Sequence, residues 1–429
     1  MDTILVRGGR RLHGKVSISG AKNAALPIMA ASLLSDGEVV LSNIPDLDDV
    51  STMCDVLEAL GVRVRRAGSR LLFRADNLEE NEAPYPLIRK MRASFLVAGP
   101  LLARLGAVRI PLPGGCAIGL RPIDLHLKGF MAMGAEIRQD GGVIEAVAPR
   151  GLHGARVYLD VPSVGATENI LMASCFASGE TIIENAAREP EVVDLANFLV
   201  RMGADIRGAG TSAIRVTGVS RLSGVAYEII PDRIEAGTYM IACAIAGGDV
   251  FIRNAVPEHI RAIAAKLAEV GVRVIEADGG VRVIADKRPA PTDITTTAYP
   301  GFPTDLQPQM MALLSVAAGT SVITETVFEG RFMHVAELKR MGARIRTENQ
   351  TAIIEGVGEL SGARVRVPDL RAGAALVLAG LRAEGETEIS DVHHIDRGYE
   401  SIEAKLRAIG ADIERVSDGV SVSRIAQVL

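Results

Sequence analysis

Hydrophobic and polar positions along the chain form a pattern that returns six times. Each copy has apolar residues at helical spacing, then a glycine, then a short run in which apolar and polar residues alternate. In the first copy Val50, Met53 and Leu57 share one helical face, and Val62-Arg63-Val64 follows the glycine. We expect a helix that ends at its glycine and leads into a strand. The six glycines are Gly61, Gly134, Gly203, Gly271, Gly342 and Gly410, at intervals of 73, 69, 68, 71 and 68 residues.

A second pattern has the same period. Residues 24–34, 170–177 and 372–383 are apolar almost all round, and each run is followed by a glycine and a β-branched strand. A helix without a polar face is predicted to be buried, whereas the helices of the first pattern keep a polar face. Self-similarity at a fixed period indicates repeated supersecondary units. We therefore predict an α/β protein made of six βαβαββ units of about 70 residues each.

Composition narrows the classes of function. The chain has 429 residues, and a single hydrophobic core rarely supports a chain of that length. Two domains of about 200 residues are therefore expected. Aromatic residues make up 3% of the chain and tryptophan is absent, which argues against stacking platforms for single-stranded nucleic acid. The net charge of -5 argues against binding along a nucleic-acid backbone.

The termini and the cysteines indicate a cytoplasmic location. The N-terminus lacks an apolar run of signal-peptide length, and the other apolar runs are too short to span a bilayer. The four cysteines lack metal-finger spacing, which is typical of reduced thiols. We expect no membrane segment, no metal and no cofactor, and the sequence leaves the oligomeric state open.

Charged residues cluster where the predicted helices begin. These positions follow the carboxyl ends of strands, the edge at which α/β folds bind ligands. Several helix N-termini together with arginines form a cage for a small anion. The buried helices begin at Lys22-Asn23, Arg92, residues 163–167, Arg233, Asp305 and Arg371, and the loops before the other helices carry Cys116, Arg121, Arg188, Glu189, Arg331 and Arg397.

Cys116 is the one cysteine outside any predicted helix or strand. It lies in a glycine-rich run, residues 113–122, beside Arg121 and a predicted helix start at Pro122. Both neighbours favour the thiolate relative to a free thiol with a pKa of about 8.5. Cys116 is therefore a candidate nucleophile or proton donor. Cys54, Cys175 and Cys243 lie in apolar segments and are predicted to be core residues.

Each candidate also has a purely structural interpretation. The arginines can pair with neighbouring acids, Cys116 can be an inert loop thiol, and Asp305 can be only a helix N-cap. His393 and His394 lack evident further metal ligands, which favours local hydrogen bonding. The glycine pairs of the chain lack the context of a nucleotide-binding fingerprint.

Nine segments are distinctive in detail: SGAKN at 19–23, PGGCAIGLRPIDL at 113–125, SVGAT at 163–167, ENAAREP at 184–190, PDRIE at 231–235, FPTD at 302–305, residues 324–334, DLR at 369–371 and HIDRGYE at 394–400. Through these segments the chain resembles the enolpyruvyl transferases over essentially its whole length. The resemblance is to the member of that family that acts on UDP-N-acetylglucosamine, at the first committed step of bacterial peptidoglycan synthesis.

The resemblance implies two domains, each an inside-out α/β barrel of three units. Residues 22–230 would form one domain, which carries the Cys116 loop. Residues 1–21 and 231–429 would form the other, which carries Asp305, Arg371 and Arg397. A cleft between the domains would close around substrate and exclude water.

The implied reaction transfers the enolpyruvyl group of phosphoenolpyruvate to the 3′-hydroxyl of UDP-N-acetylglucosamine and releases phosphate through a tetrahedral phospho-ketal. An acid must protonate the methylene carbon and a base must take up a proton. By the resemblance, Cys116 is the proton donor, which can also form a covalent adduct, and Asp305 is the base. Lys22 and Arg397 are also implied to be catalytic, and phosphoenolpyruvate would be held by Lys22, Asn23, Cys116, Arg121, Arg331, Arg371 and Arg397.

The resemblance also implies a site for the UDP-sugar. Val161 stands where some members have a lysine that contacts the pyrophosphate, so affinity for UDP is either weaker or depends on Arg92 and Arg121. The implied contacts are Asn23, Arg92, Arg121, Pro122, Ile123, Asp124, Leu125, Ser163, Val164, Gly165, Asp305 and Val327.

Two other functions remain open at this point. A sister enzyme that acts on shikimate 3-phosphate shares the fold and the phosphoenolpyruvate chemistry, although the Cys116 loop and residues 121–125 favour the UDP-sugar. A non-catalytic ring of six units, such as a nucleic-acid clamp, needs basic helix faces. The buried helices have almost no charged residues.

Overall fold

The computed structural model describes residues 2–67, 70–76, 78, 80–112 and 123–417, and this part of the chain divides into two compact units. The 20–230 unit comprises the described residues between Gly20 and Ile230. The discontinuous unit combines residues 2–19 with residues 231–417. The chain passes from one unit to the other between Ser19 and Gly20 and returns between Ile230 and Pro231.

The described part of the 20–230 unit contains three sheets and three largely buried helices. The buried helices are Lys22–Ala31, Ala98–Leu105 and Val164–Ser174; the second packs on the third, and the short 3-10 helix Arg92–Val97 packs on all three. The other helices are Asp48–Ala59, Tyr85–Lys90, Asp124–Ala132 and Pro190–Met202, with a 3-10 turn at Ser32–Leu34. In spatial order the sheets are Ala226–Glu228, Val39–Ser42, Arg70–Arg74 and Arg63–Ala67; Ala107–Pro111, Val143–Val147 and Glu136–Asp140; and Asp205–Arg207, Ala213–Thr217, Glu180–Glu184 and Arg156–Tyr158.

The described part of the discontinuous unit has a similar content. Its buried helices are Arg233–Ala246, Gln307–Leu314 and Leu370–Arg382, and each packs on the other two. The other helices are Arg261–Glu269, His334–Arg340, His393–Asp396 and Ile402–Ala408, with 3-10 turns at Pro257–Ile260 and Thr304–Leu306. In spatial order the larger sheets are Arg364–Arg366, Glu386–Ser390, Thr3–Arg7 and Asp412–Val416; Arg273–Ala277, Gly280–Ala285, Gly248–Arg253 and Leu12–Ser17; and Ile294–Thr295, Thr320–Thr324, Thr351–Glu355 and Arg344–Glu348. Leu360–Ser361 pairs with Ala383–Glu384.

The N-terminal residues belong to the discontinuous unit because both of their strands pair with distant partners. Thr3–Arg7 runs antiparallel to Glu386–Ser390, with Val6 opposite Thr387. Leu12–Ser17 runs parallel to Gly248–Arg253. The predicted α/β class is confirmed.

The glycine at the end of each predicted helix adopts the left-handed conformation. In the described chain, Gly61, Gly134, Gly203, Gly271, Gly342 and Gly410 have φ between 90° and 115°, and each leads into a strand within two or three residues. Glycine has no Cβ to oppose this conformation, so it ends the helix at little cost. The predicted helix, glycine and strand sequence is confirmed at these six positions.

Several of the described strands end in a feature that the sequence analysis did not find. Asn43, Asn185, Asn254 and Asp391 follow strands and have φ between 54° and 65°, a conformation that Asn and Asp tolerate better than other side chains. The Asn43 amide donates to the Ile229 carbonyl at 2.8 Å, and the Asn185 amide donates to the Leu159 carbonyl at 2.8 Å. Each amide therefore ties a strand end to the chain next to it.

The cores are aliphatic, and the structure forms a separate hydrophobic cluster in each unit. Cys175 and Cys243 are completely buried, and burial raises the pKa of each thiol to about 12. Cys54 is half-buried, and burial raises its pKa to about 11. The predicted core positions are confirmed for Cys175 and Cys243, whereas Cys54 is only half-buried and packs against the core. No helix in the described ranges is both long enough and apolar enough to cross a bilayer.

Candidate active site

The carboxylate of Asp305 lies between two guanidinium groups in the discontinuous unit. Its Oδ1 accepts from Arg331 Nη1 at 2.8 Å, and its Oδ2 accepts from Arg371 Nη2 at 3.0 Å and Nε at 3.2 Å. The side chains of both arginines are 3% exposed, whereas that of Asp305 is 25% exposed. One negative and two positive charges therefore meet here, and the carboxylate is the most accessible of the three groups.

Asp305 and Arg371 are positioned by the start of the helix that each precedes or opens. Asp305 is in the 3-10 turn Thr304–Leu306, directly before the helix Gln307–Leu314. This turn approaches the helix Arg233–Ala246 closely at Gly237, where an added methyl group would lie 2.5 Å from Leu306 Cδ1. Arg371 opens the helix Leu370–Arg382, whose N-cap Asp369 accepts from the Arg371 backbone N–H at 2.9 Å. The N-cap alternative for Asp305 is wrong, because Pro303 is the N-cap of its turn.

Arg371 is supported from behind by Tyr399. The Arg371 guanidinium carbon lies 5.3 Å from the centre of the buried Tyr399 ring. The Tyr399 hydroxyl is 2.9 Å from Thr238 Oγ1 and accepts from Gln309 Nε2 at 3.0 Å. Burial by itself lowers the pKa of Arg371, but Tyr399, Asp305 and Asp232 outweigh it and the pKa is raised. Arg371 therefore stays protonated at any physiological pH.

The Arg331 guanidinium is also held by a neighbouring hydroxyl group. Its Nη1 also donates to Thr304 Oγ1 at 3.0 Å. The neighbouring His334 is fully buried, and burial together with the Arg331 charge lowers its pKa to about 3, so its ring is neutral. Within the described residues, Arg331 Nε and Arg371 Nη1 have no hydrogen-bond partner. Buried donors of this kind favour an anionic ligand.

Lys22 is the charged residue of the predicted site that lies deepest in the 20–230 unit. It is the first residue of the helix Lys22–Ala31, and its Nζ lies 3.0 Å from Asp49 Oδ2. The two side chains are 9% and 7% exposed. Asn23 follows it and is half-buried. Asp49 belongs to the first turn of the helix Asp48–Ala59, and the sequence analysis missed it.

Three predicted UDP-sugar segments of the same unit meet at His126 and Asn169. Ile123 precedes the helix that carries His126, and Gly165 lies against that imidazole, since an added methyl group would be 3.3 Å from Cε1. His126 Nδ1 is 3.0 Å from Asn169 Nδ2, and Asn169 also donates to the Phe95 carbonyl at 3.0 Å. Phe95 is in the 3-10 helix that begins at Arg92. The structure therefore brings together the Arg92, Ile123–Leu125 and Ser163–Gly165 segments.

The side chains in these segments differ in accessibility. Ser163 caps the helix Val164–Ser174 by accepting from the Ala166 backbone N–H at 3.4 Å. Asp124 is exposed and Leu125 is half-buried. Burial, and then the Arg92 charge, lowers the pKa of His126 to about 3. His126 is therefore a neutral packing residue beneath these segments.

Several predicted site residues lie elsewhere. Cys116, Arg121 and Pro122 are outside the described residues. Val327 is 40% exposed in the segment after the strand Thr320–Thr324. Arg397 is half-buried and follows the helix His393–Asp396. In the described ranges, no group of three or more His, Cys, Asp or Glu side chains is placed to hold a metal ion.

Two buried glutamates were also missed. Glu168 is 3% exposed in the helix Val164–Ser174, and burial, then Glu191 and Glu189, raises its pKa well above the ordinary value. Glu325 is fully buried after the strand Thr320–Thr324. Both are in or beside segments that carry the family resemblance, but sequence position alone does not reveal that they are buried.

The fold is that of an enolpyruvyl transferase. The structure of the enolpyruvyl transferase NikO from Streptomyces tendae matches with a TM-score of 0.86 at 26% identity, over 97% of this chain and 99% of that one. An EPSP synthase structure from Acinetobacter baumannii has the same fold, with a TM-score of 0.74 at 19% identity over 97% of this chain and 100% of that one. The family model for EPSP synthase (3-phosphoshikimate 1-carboxyvinyltransferase) matches residues 6–406, and the chain belongs to this family.

Curated relatives are more similar still. UDP-N-acetylglucosamine 1-carboxyvinyltransferase 2 of Carboxydothermus hydrogenoformans is 59% identical over 420 residues, 97% of this chain and 100% of the relative. UDP-N-acetylglucosamine 1-carboxyvinyltransferase 1 of Caldanaerobacter subterraneus is 59% identical over 404 residues, 94% of this chain and 97% of the relative. The corresponding enzyme 1 of Halalkalibacterium halodurans is 57% identical over 417 residues, 97% of this chain and 95% of the relative. The prediction of an enzyme of the enolpyruvyl transferase family is confirmed.

Proposed function

We propose that this enzyme transfers the enolpyruvyl group of phosphoenolpyruvate to the 3′-hydroxyl of UDP-N-acetylglucosamine, with release of phosphate. The observation that carries the proposal is the 59% identity, over 97% of the chain, to a relative named for that reaction. Identity to the EPSP synthase structure is 19%, which favours the UDP-sugar over shikimate 3-phosphate as acceptor. The product would serve peptidoglycan synthesis in the cytoplasm.

Phosphoenolpyruvate carries a carboxylate and a phosphate, and the site offers cations for both. Arg331 and Arg371 have donors left over after binding Asp305, and the resemblance adds Lys22, Asn23, Arg121 and Arg397. Asp305 occupies the guanidinium groups that a substrate anion needs. Phosphoenolpyruvate therefore competes with Asp305 for these arginines, and its binding releases the carboxylate.

An acid and a base complete the reaction. Cys116 gives its proton to the methylene carbon, and the 3′-hydroxyl oxygen bonds to the adjacent carbon while Asp305 takes up the hydroxyl proton. The Cys116 thiolate then takes a proton back from the new methyl group of the tetrahedral phospho-ketal, the carbon–carbon double bond forms again, and phosphate leaves with the proton that Asp305 took up. Lys22 and Arg397 stabilise the departing phosphate.

The UDP-sugar is expected at the segments that His126 and Asn169 hold together. Asn23, Arg92, Ile123–Leu125 and Ser163–Gly165 supply contacts in the 20–230 unit, with Arg121 and Pro122 close in sequence. The resemblance adds Asp305 and Val327 to the contacts for this substrate. Val161 is 58% exposed and uncharged, so the pyrophosphate relies on Arg92 and Arg121.

The six repeated units and the inside-out barrels belong to the same proposal. Three buried helices and three larger sheets in the described part of each unit support it, as do the six glycines at helix ends. We assign residues 22–230 to one domain, and residues 1–21 with 231–429 to the other.

Phosphate release tests the proposed reaction directly. The purified protein is incubated with phosphoenolpyruvate and either UDP-N-acetylglucosamine or shikimate 3-phosphate. Release of phosphate only with the UDP-sugar is the expected result. Turnover with shikimate 3-phosphate alone would reassign the acceptor, and no turnover with either acceptor would refute the proposal.

Labelling and substitution test the role of Cys116. Cys116→Ser is expected to lower turnover sharply and leave UDP-sugar binding intact, because the thiol acts on the other substrate. A thiol-directed epoxide such as fosfomycin should alkylate Cys116 and spare Cys54, Cys175 and Cys243, whose pKa values are raised by burial. Mass mapping that finds the label on one of those three thiols would contradict the assignment.

A further inference from the structure

The Glu325 carboxylate is fully buried and accepts four hydrogen bonds. Oε1 accepts from Thr296 Oγ1 at 2.7 Å and from the backbone N–H groups of Val327 at 2.9 Å and Phe328 at 3.0 Å. Oε2 accepts from Thr304 Oγ1 at 2.9 Å. An ionised carboxylate has about four acceptor sites, so protein donors use most of the capacity of this group, with three of the four bonds on Oε1. Since Glu325 is fully buried, these contacts fix its carboxylate inside the protein.

The four donors come from three separate segments. Thr304 is the residue before Asp305, and Val327 and Phe328 belong to the loop that leads to Arg331. Thr296 fixes the same loop a second time, because its hydroxyl oxygen accepts from the Thr326 backbone N–H at 3.0 Å. One buried carboxylate thus joins the Asp305 turn to the loop that carries Val327 and Arg331.

The chemistry of a carboxylate determines which group donates in the hydrogen bond between Thr304 and Glu325. Glu325 only accepts, so the Thr304 hydroxyl must donate to it, and the lone pairs of Thr304 Oγ1 then face its other neighbour. That neighbour is Arg331 Nη1, which donates to Thr304 Oγ1 at 3.0 Å and to Asp305 Oδ1 at 2.8 Å. Glu325 therefore sets the hydroxyl orientation that holds Arg331 in place beside Asp305.

We propose that Glu325 is a positioning residue for enolpyruvyl transfer, which acts through Thr304 on Arg331 and through two backbone amides on the Val327 segment. This inference rests on the function proposed above. When phosphoenolpyruvate displaces Asp305 from the guanidinium group, Thr304 keeps Arg331 aimed at the substrate anion. Catalytic groups held by locked neighbours lose less orientation on binding.

Thr304 offers the more specific test. Glu325→Gln disturbs both the contact to Thr304 and the contacts to the Val327 and Phe328 amides, and it can reduce folding. Thr304→Val keeps the shape and removes the hydroxyl, whereas Thr304→Ser keeps the hydroxyl. We expect Thr304→Val to raise the KM for phosphoenolpyruvate and to lower kcat about tenfold, with the KM for the UDP-sugar nearly unchanged. Thr304→Ser should restore most of the lost turnover. A folded Glu325→Gln should raise the KM for both substrates.

Thr387→Val is the matched control. Thr387 is completely buried in the same unit, and its hydroxyl has no hydrogen-bond partner in the described part of the chain. It undergoes the same chemical change as Thr304→Val, so its kinetic constants should match those of the wild type. Thermal melting confirms that each variant is folded.

The outcomes separate the two proposals. If the wild type releases no phosphate with UDP-N-acetylglucosamine, the proposed function fails before any variant is compared. If the wild type is active and Thr304→Val behaves like Thr387→Val, the positioning role is overturned. Equal losses in Thr304→Ser and Thr304→Val would overturn it as well, because the hydroxyl would then be irrelevant.

Discussion

Two buried ion pairs, one in each unit, use their charges differently. In the 20–230 unit Lys22 contacts the carboxylate of Asp49, and both side chains are under 10% exposed. In the discontinuous unit Asp305 is shared between Arg331 and Arg371 and is the exposed member. In the second set, Arg331 Nε and Arg371 Nη1 have no hydrogen-bond partner in the described part of the chain. We therefore expect the arginines to offer buried N–H donors to a substrate anion, whereas Lys22 offers a cation that a carboxylate already contacts.

The largest expected effect comes from removing the shared carboxylate. Asp305→Asn keeps the shape but cannot take up a proton, so we expect kcat to fall about 1000-fold while the KM for phosphoenolpyruvate does not rise. Phosphate release under saturating substrates measures this. Asp249→Asn is the control, because Asp249 makes a surface ion pair with Arg282 in the same unit. An active Asp305→Asn enzyme would remove Asp305 from the mechanism.

The Lys22–Asp49 ion pair should contribute to stability as well as to substrate binding. Lys22→Met withdraws the cation from the buried Asp49 carboxylate and should cost about 3 kcal/mol of unfolding free energy. The double variant Lys22→Met/Asp49→Asn should recover most of that stability, as measured by denaturant unfolding. It should not recover phosphoenolpyruvate binding. Recovery of both properties would show that Lys22 has no role beyond balancing Asp49.

The ion pair of Glu235 and Lys405 has no proposed role in substrate binding. It therefore shows how a buried pair alone makes the unfolding free energy depend on pH. Glu235 accepts from Lys405 Nζ at 2.6 Å and from the Ser19 backbone N–H at 2.7 Å, and burial raises its pKa to about 7 despite these contacts. The folded state thus binds this proton more tightly than the unfolded state, whose pKa is near 4.5. Stability from this group is present below pH 4.5 and is lost as the pH rises through 7.

The Glu235→Gln variant should therefore lose this dependence. We expect the unfolding free energy of the wild type to fall by on the order of 2 kcal/mol between pH 4.5 and 7.5, and that of Glu235→Gln to change less. Urea unfolding at several pH values measures both slopes. Equal slopes would show that Glu235 does not titrate in this range.

The smallest expected effect tests geometry rather than charge. Arg371 donates two hydrogen bonds to one oxygen of Asp305, and lysine is a point charge that cannot reproduce this fork. Arg371→Lys should raise the KM for phosphoenolpyruvate about tenfold with little loss of stability. Arg282→Lys, which alters an exposed fork to Asp249, should leave the KM unchanged. Unaltered kinetics in Arg371→Lys would mean that charge alone suffices at this position.

Much of the local structure follows from the sequence because it depends on neighbours in the chain. Gly61 and its five counterparts end helices since only glycine adopts the left-handed conformation without a steric penalty. The apolar pattern of residues 372–383 predicts the buried helix Leu370–Arg382. The resemblance places Asp305, Arg331 and Arg371 in one site, and the structure brings these three side chains within hydrogen-bond distance.

Only the tertiary structure decides which groups far apart in the chain form hydrogen bonds or ion pairs with each other. Asp49, Glu325 and Tyr399 look ordinary in the sequence, because a carboxylate or a phenol can equally well face water. Burial selects partners for them: Lys22 for Asp49, four donors for Glu325, and Arg371 for Tyr399. The sequence alone predicts the helices that end in glycine, the buried apolar helices and the family. The fold determines the charge balance of the site, since desolvation and hydrogen bonding act across segments far apart in the chain.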